Sequence, residues 1–273
     1  MAPTAWLTWR GLVSLSVTFI AIFAAYFGSW EGAIQAFVGG PTQTRPVLFL
    51  VGDSLTENGV DPDKAGWAAL LRNHFRRSAD ILPRGLSGYN TKWFIEFALP
   101  IINRELSSGV ARPALITLWL GANDAALVDG PSGRQHVPIG VYTTNLIEII
   151  RSLRASAPRA DILLITPPHV DDAARRKRSK SERLDRSNSL AGDYARACVE
   201  VAKDVDVPVL DLHSWFNAMP PRERSLSLED GLHLSAWGNR LMERLLRAKI
   251  AESFPELMAR LHVQDIPDWR QLS

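Results

Sequence analysis

Short uninterrupted apolar runs alternate along this chain with longer stretches in which apolar residues recur every three or four positions. Val47-Leu48-Phe49-Leu50-Val51 ends at Gly52, and Leu115-Ile116-Thr117-Leu118-Trp119-Leu120 ends at Gly121. Ile162-Leu163-Leu164-Ile165 stops before Pro167-Pro168, and Val207-Pro208-Val209-Leu210 stops at Asp211. Runs without polar alternation suit strands covered on both faces. A weaker strand, Asp80-Ile81-Leu82, is closed by Pro83. Between the runs, Leu146, Ile149, Ile150 and Leu153 follow helical spacing, as do Tyr194, Ala197, Cys198 and Val201. After residue 233, Leu241 with Leu245, and Met242 with Leu246 and Ile250, again recur at four-residue spacing. Five strands alternating with helices predict an α/β fold: a parallel sheet between two helical layers, a three-layer sandwich.

The amino terminus follows neither pattern. Residues 11–30 hold no charge and include Leu12, Val13, Leu15, Phe19, Ile20, Ile22, Phe23 and Phe27. As a helix, a stretch of 20 residues would be about 30 Å long, the thickness of bilayer hydrocarbon. Trp6, Trp9, Tyr26 and Trp30 lie towards its ends, where interfacial aromatics sit. The segment is long for a signal-peptide core and no small-x-small cleavage site follows it, so an uncleaved anchor is expected, with secretion after cleavage the alternative. Arg10 before it and Glu31 after it favour a cytosolic amino terminus and a non-cytosolic body. The expected organisation is an anchor at 1–30, a Gly/Pro-containing connector at 31–45, one domain at 46–254 and a polar tail at 255–273.

The 273 residues suffice for one such domain with a real core, since 46% are hydrophobic and 22% charged. A net charge of +2 offers no case for a nucleic-acid partner. The single cysteine, Cys198, excludes an internal disulfide and any multi-cysteine metal site, and its helical spacing makes it a core residue. No HExxH pattern occurs, so no metal centre is expected.

In open parallel sheets ligands bind beyond the carboxyl ends of the strands, and polar residues cluster there in this chain. Gly52-Asp53-Ser54 follows the first strand, 85–91 the second and Gly121-Ala-Asn123-Asp124 the third. A serine hydroxyl becomes a nucleophile once a base takes its proton. Asp230-Gly-Leu-His233 supplies that base: spaced three apart on a turn, the carboxylate can hold imidazole Nδ1 and leave Nε2 for Ser54. The Ser54 and Gly88 backbone N–H groups and the Asn123 amide are candidate donors to an oxyanion in the same crevice. Asp53 and Asp124 read as supports for the serine and Asn123 loops rather than as acids.

These blocks together resemble the GDSL/SGNH hydrolases. Val51-Gly-Asp-Ser-Leu55, Ser87-Gly-Tyr-Asn-Thr91, Gly121-Ala-Asn-Asp124 and Asp230-Gly-Leu-His233 occur in the family's order. Arg84-Gly-Leu-Ser-Gly-Tyr-Asn-Thr-Lys-Trp93 and Ile165-Thr-Pro-Pro168 are similar to its isoamyl acetate-hydrolysing esterase branch. The resemblance implies a flavodoxin-like sheet of five parallel strands, Ser54 as nucleophile, Asp230 and His233 as base, and Gly88 and Asn123 in the oxyanion hole. It also implies hydrolysis of small acetate-type esters without a cofactor. Pro83 stands where the family has asparagine, and without an N–H it is expected to alter the setting of the Gly88 loop.

Other polar residues read as structural. Gly85-Leu-Ser87-Gly-Tyr89 departs from the nucleophile elbow G-x-S-x-G at its last position. His74, His136, His213 and His262 lack a serine and carboxylate setting, while His169 at a strand end is a candidate pocket residue. The basic run Arg175-Arg-Lys-Arg178, flanked by acids, reads as a solvated face. Acyl transfer by the same residues, and a tethered binding module without turnover, are the alternatives to ester hydrolysis. A small-molecule ester is the expected partner.

Overall fold

The computed structural model describes residues 45–179, 183–264, 266 and 268–272. The expected anchor at 11–30 lies outside them; among the described residues no helix is long and apolar enough to cross a membrane. Residues from Arg45 onward form one compact unit.

Five parallel strands build it: β1 (Val47–Asp53), β2 (Asp80–Leu86), β3 (Pro113–Trp119), β4 (Asp161–Ile165) and β5 (Val209–Leu210), in the order β2-β1-β3-β4-β5. This is a doubly wound order, with the chain turning outward in opposite directions from β1 and β3, so a crevice opens between their carboxyl ends. Period-two alternation sorts the strand residues into two cores. Leu48, Leu50, Leu163 and Ile165 face one, while Phe49, Val51, Ile162 and Leu164 face the other.

Helices α1 (Ser54–Glu57), α2 (Trp67–His74), α3 (Thr91–Trp93), α4 (Leu99–Ser107), α5 (Ile139–Ser156), α6 (Asp172–Arg178) and α7 (Asn188–Asp204) come before β5. After it follow α8 (Leu212–Asn217), α9 (Pro221–Leu226), α10 (Ala236–Ser253) and α11 (Pro255–Leu261). The first core takes Trp67 and Leu71 of α2 with Met242, Leu246 and Ile250 of α10. The second takes Ile102 of α4, Leu146, Ile149, Ile150 and Leu153 of α5, and Tyr194, Cys198 and Val201 of α7. Fully burying a side chain of this kind contributes about 1.5–3 kcal/mol, so the apolar periodicity of α5 and α10 translates directly into stabilisation.

Beyond shifts of one or two residues at strand ends, two boundaries differ from the expectation. β2 does not stop at Pro83 but runs on to Leu86, with Pro83 paired to Leu50. β2 is the sheet edge, so the N–H that proline lacks is one the ladder does not need. At the carboxyl end, α11 lies beyond 254 and buries Leu257 and Leu261 in the first core, so the packed body extends into what reads as tail. Their four-residue spacing puts them on one helical face.

Candidate active site

Asp53, the last residue of β1, starts the site by capping α1. Its Oδ1 accepts the Leu55 N–H at 2.9 Å, which places Ser54 at the first helical position, at the crevice mouth. The Trp67 Nε1–H donates to the Leu55 carbonyl at 2.8 Å and ties α1 to α2. Asp53 is fully buried, and that burial pushes its carboxyl up to about 7 against the pull of the Leu55 N–H and of nearby His233.

The segment 228–234 is a tight turn closed by an antiparallel bridge between Leu228 and Leu234. Inside it, Asp230 Oδ1 accepts the backbone N–H groups of Leu232 at 2.9 Å and His233 at 2.8 Å. Its other oxygen, Oδ2, stands 3.0 Å from His233 Nδ1. His233 Nε2 is 3.0 Å from Ser54 Oγ across 179 positions of sequence. Ser235, two residues on, caps α10 through the Gly238 N–H, so the segment is both a helix entry and a site element. Burial acts to raise the Asp230 carboxyl, but the hydrogen bonds from the His233 ring and backbone and from Leu232 N–H outweigh it. The carboxyl is therefore held well below its ordinary range. Asp230 thus stays ionised where it can fix the Nδ1–H tautomer and stabilise an imidazolium.

Gly88 and Asn123 meet the same crevice. Gly88 has φ +80° in a turn closed by the Tyr89 N–H to the Leu86 carbonyl at 3.1 Å, a backbone that a Cβ would strain. The Ser87 N–H donates to Glu57 Oε2 at 2.7 Å, fastening this turn to α1. Asn123 Nδ2 donates to the Tyr89 carbonyl at 2.9 Å and lies 3.5 Å from Asp53 Oδ2. Asp124, wholly buried, accepts the Thr91 N–H at 3.0 Å and the Thr91 hydroxyl, which joins the loops after β2 and β3. Burial pushes its carboxyl up to about 6, with the Thr91 bonds pulling down. Ser54, Asp53, Gly88, Asn123, Asp124, Asp230 and His233, drawn from four separate segments, are therefore brought together at one sheet edge.

The profile of the GDSL-like lipase/acylhydrolase family matches residues 50–241, a span holding every one of these residues. The chain belongs to that family. It is accordingly a carboxylic ester hydrolase. A GDSL esterase/lipase of Arabidopsis thaliana is 39% identical over 212 residues, covering 76% of this chain and 87% of that protein. The mouse (Mus musculus) isoamyl acetate-hydrolyzing esterase 1 homolog is 40% identical over 200 residues, covering 72% of this chain and 78% of that protein. Among solved structures, a lipase/acylhydrolase from Enterococcus faecalis superposes with a TM-score of 0.59 at 21% identity, covering 76% of this chain and 96% of that one. That last likeness carries the fold of the family.

Other side chains sit differently from their sequence readings. His169 does not line the crevice. It is buried against the Phe216 ring, centroids 4.9 Å apart, with Nε2 on the Arg224 carbonyl at 3.1 Å. Burial is the main reason its imidazole falls to about 4, so it stays neutral in the core. The basic run is only partly a solvated face. Arg176, Lys177 and Arg178 are exposed, but Arg175 turns inward from α6, its side chain 15% exposed. Its Nη1–H donates to Asp230 Oδ2 at 3.2 Å, and its Nε–H donates to Asp185 Oδ1 at 3.0 Å. Arg186 and Gln135 also adjoin the site, and no motif or spacing singles them out. Among the described residues no group of three histidine, cysteine or acidic side chains is gathered to hold a metal.

Proposed function

We propose that the protein cleaves small acetate-type or lipid-derived carboxylic esters through an acyl-serine at Ser54. The observation that carries this reading is the continuous relay of Ser54 Oγ, His233 and Asp230, with both links at 3.0 Å. His233 Nε2 takes the Ser54 proton as Oγ adds to the ester carbonyl, and the ionised Asp230 stabilises the resulting imidazolium. The N–H groups of Ser54 and Gly88 and the Asn123 amide receive the oxyanion, where loss of one donor typically raises the barrier by about 2.7–4 kcal/mol. Collapse breaks the C–O bond and the departing alcohol takes the proton from His233. Water then adds to the acyl-serine with its proton passing to His233, and collapse frees the acid and restores the Ser54 hydroxyl.

The test is fluorophosphonate labelling of the full chain beside Ser54→Ala and His233→Ala. Labelling of the wild type at Ser54 alone supports the proposal. A silent wild type, or labelling that survives Ser54→Ala, refutes it. Product analysis with a competing alcohol completes the test, since predominant transfer to the alcohol in water would make the protein an acyltransferase. We also propose that residues 11–30 anchor the chain in a membrane with the hydrolase domain on the non-cytosolic side, a reading supported by their 20 uncharged positions. Extraction of the full chain from membranes by alkaline carbonate would refute it.

A further inference from the structure

Arg186 lies in the loop before α7, only 2% exposed, and its guanidinium is surrounded by acceptors. Nε–H donates to the Ala122 carbonyl at 2.7 Å and Nη1–H to the Asp185 carbonyl at 3.0 Å. Nη2–H groups donate to Asn123 Oδ1 at 3.0 Å and to Gln135 Oε1 at 2.6 Å. Gln135 carries the connection onward, because its Nε2–H donates to the Gly88 carbonyl at 3.0 Å. Its own backbone carbonyl accepts the Asn90 Nδ2–H at 2.8 Å. A single chain of hydrogen bonds, Asn123–Arg186–Gln135–Gly88, thus joins the two oxyanion donors that Ser54 does not supply.

We propose that Arg186 and Gln135 are positioning residues that set both of those donors, a proposal that rests on Gly88 and Asn123 acting in the oxyanion hole. A guanidinium has donors and no acceptor. Asn123 must therefore turn Oδ1 towards it, and Nδ2 is left on the side of Tyr89 and Asp53, facing the nucleophile loop. A flipped amide would set donor against donor in a buried site. The same logic orients Gln135: Oε1 meets Arg186, so Nε2 is the atom that reaches Gly88. Gly88 needs an external hold because a residue without Cβ imposes little on its own backbone. Glu57 grips the turn at Ser87 N–H and Gln135 grips it at the Gly88 carbonyl, one on either side of the Gly88 N–H. Donors fixed before the reaction need no reorganisation as charge develops, which is the source of their effect on kcat rather than KM.

Steady-state hydrolysis of p-nitrophenyl acetate by the full chain tests this, with folding followed by thermal melting. Asn123→Ala examines the underlying reading and is expected to lower kcat about 10²–10³-fold with little change in KM. Arg186→Lys, which keeps the charge but not the fork, is expected to lower kcat about 10²-fold. Gln135→Leu, at a partly exposed position, is expected to lower it about 10-fold at unchanged melting temperature. In the Asn123→Ala background, Arg186→Lys should cost no more than about 10-fold, because of the two donors it sets only Gly88, held through Gln135, remains. A folded Arg186→Lys or Gln135→Leu with wild-type kcat overturns the proposal, as does an Arg186→Lys loss undiminished beside Asn123→Ala. If Arg186→Lys does not fold, Gln135→Leu decides alone. An Asn123→Ala enzyme with wild-type kcat refutes the oxyanion assignment itself, and the positioning role falls with it.

Discussion

Replacing Gly85 by alanine should disable the enzyme from a residue packed beneath the nucleophile helix. Gly85 pairs with Gly52 in the β1–β2 ladder, directly beneath α1. A Cβ there would lie 2.0 Å from Glu57 N, 2.5 Å from Glu57 Cα and 2.6 Å from the Thr56 carbonyl carbon. Ordinary contact begins near 3.4 Å, so the gap must open by roughly 1.4 Å (3.4 less 2.0). All three atoms are backbone, so no rotamer change relieves the clash. β2 is bound to β1 along seven paired positions, which makes α1 the element that yields. Overpacking of this kind costs about 1–3 kcal/mol, or roughly 2–12 °C in Tm for a domain of this size. The larger consequence is at Ser54, the first residue of α1, whose Oγ is 3.0 Å from His233 Nε2. A misplacement of about 1 Å removes that hydrogen bond and lowers kcat/KM about 10²-fold. The assay is kcat/KM for p-nitrophenyl acetate with Tm measured in parallel. Gly140→Ala serves as control, because a Cβ at that helical position meets nothing within 4 Å. Gly85→Ala within about 3-fold of wild-type kcat/KM would refute the reasoning, even at reduced Tm, since the nucleophile helix would not have moved.

Asp53→Asn should change how stability depends on pH. The folded carboxyl titrates at about 7 rather than its ordinary 3.8, so the fold favours the neutral acid and loses stability as pH rises through that window. The loss amounts to roughly 4 kcal/mol, and the Tm of Asp53→Asn relative to wild type should climb between pH 4 and pH 8; a constant difference would contradict this. Arg175→Met removes the cation shared by Asp230 and Asp185, leaving Asp230 a stronger partner for an imidazolium. The acidic limb of the kcat/KM–pH profile should therefore move to higher pH, and a limb that stays or falls would count against an electrostatic role for Arg175.

Much of the framework is legible in the residues because the signals are local. A run such as Val47 to Val51 is apolar on both faces, and only a sheet covered on both sides buries it fully. Asp230 and His233 are three positions apart, so one turn suffices to bring carboxylate and imidazole together. Ser54 and His233, 179 positions apart, were joined by chemical expectation and by the family's block order, and the fold places them in contact. The end of β2 was not legible: proline stops a strand in general, and only the sheet order reveals that Pro83 sits on an edge where its missing N–H is harmless.

Arg175 and Arg186 mark the boundary between what sequence and tertiary structure decide. Both follow acid-containing polar stretches, and neither belongs to a periodic pattern, so as residues they look like solvated cations. Arg175 instead spans 55 positions to Asp230, and Arg186 spans 63 to Asn123 and 51 to Gln135. The apolar periodicity of a chain reports what each residue prefers against water, and that preference was enough for the five-stranded sheet and for the longest helices that cover it, α5, α7 and α10. A long basic side chain is content in solvent or on a buried acceptor. Its partner was decided only when the sheet order brought distant loops to the same edge and closed water out between them.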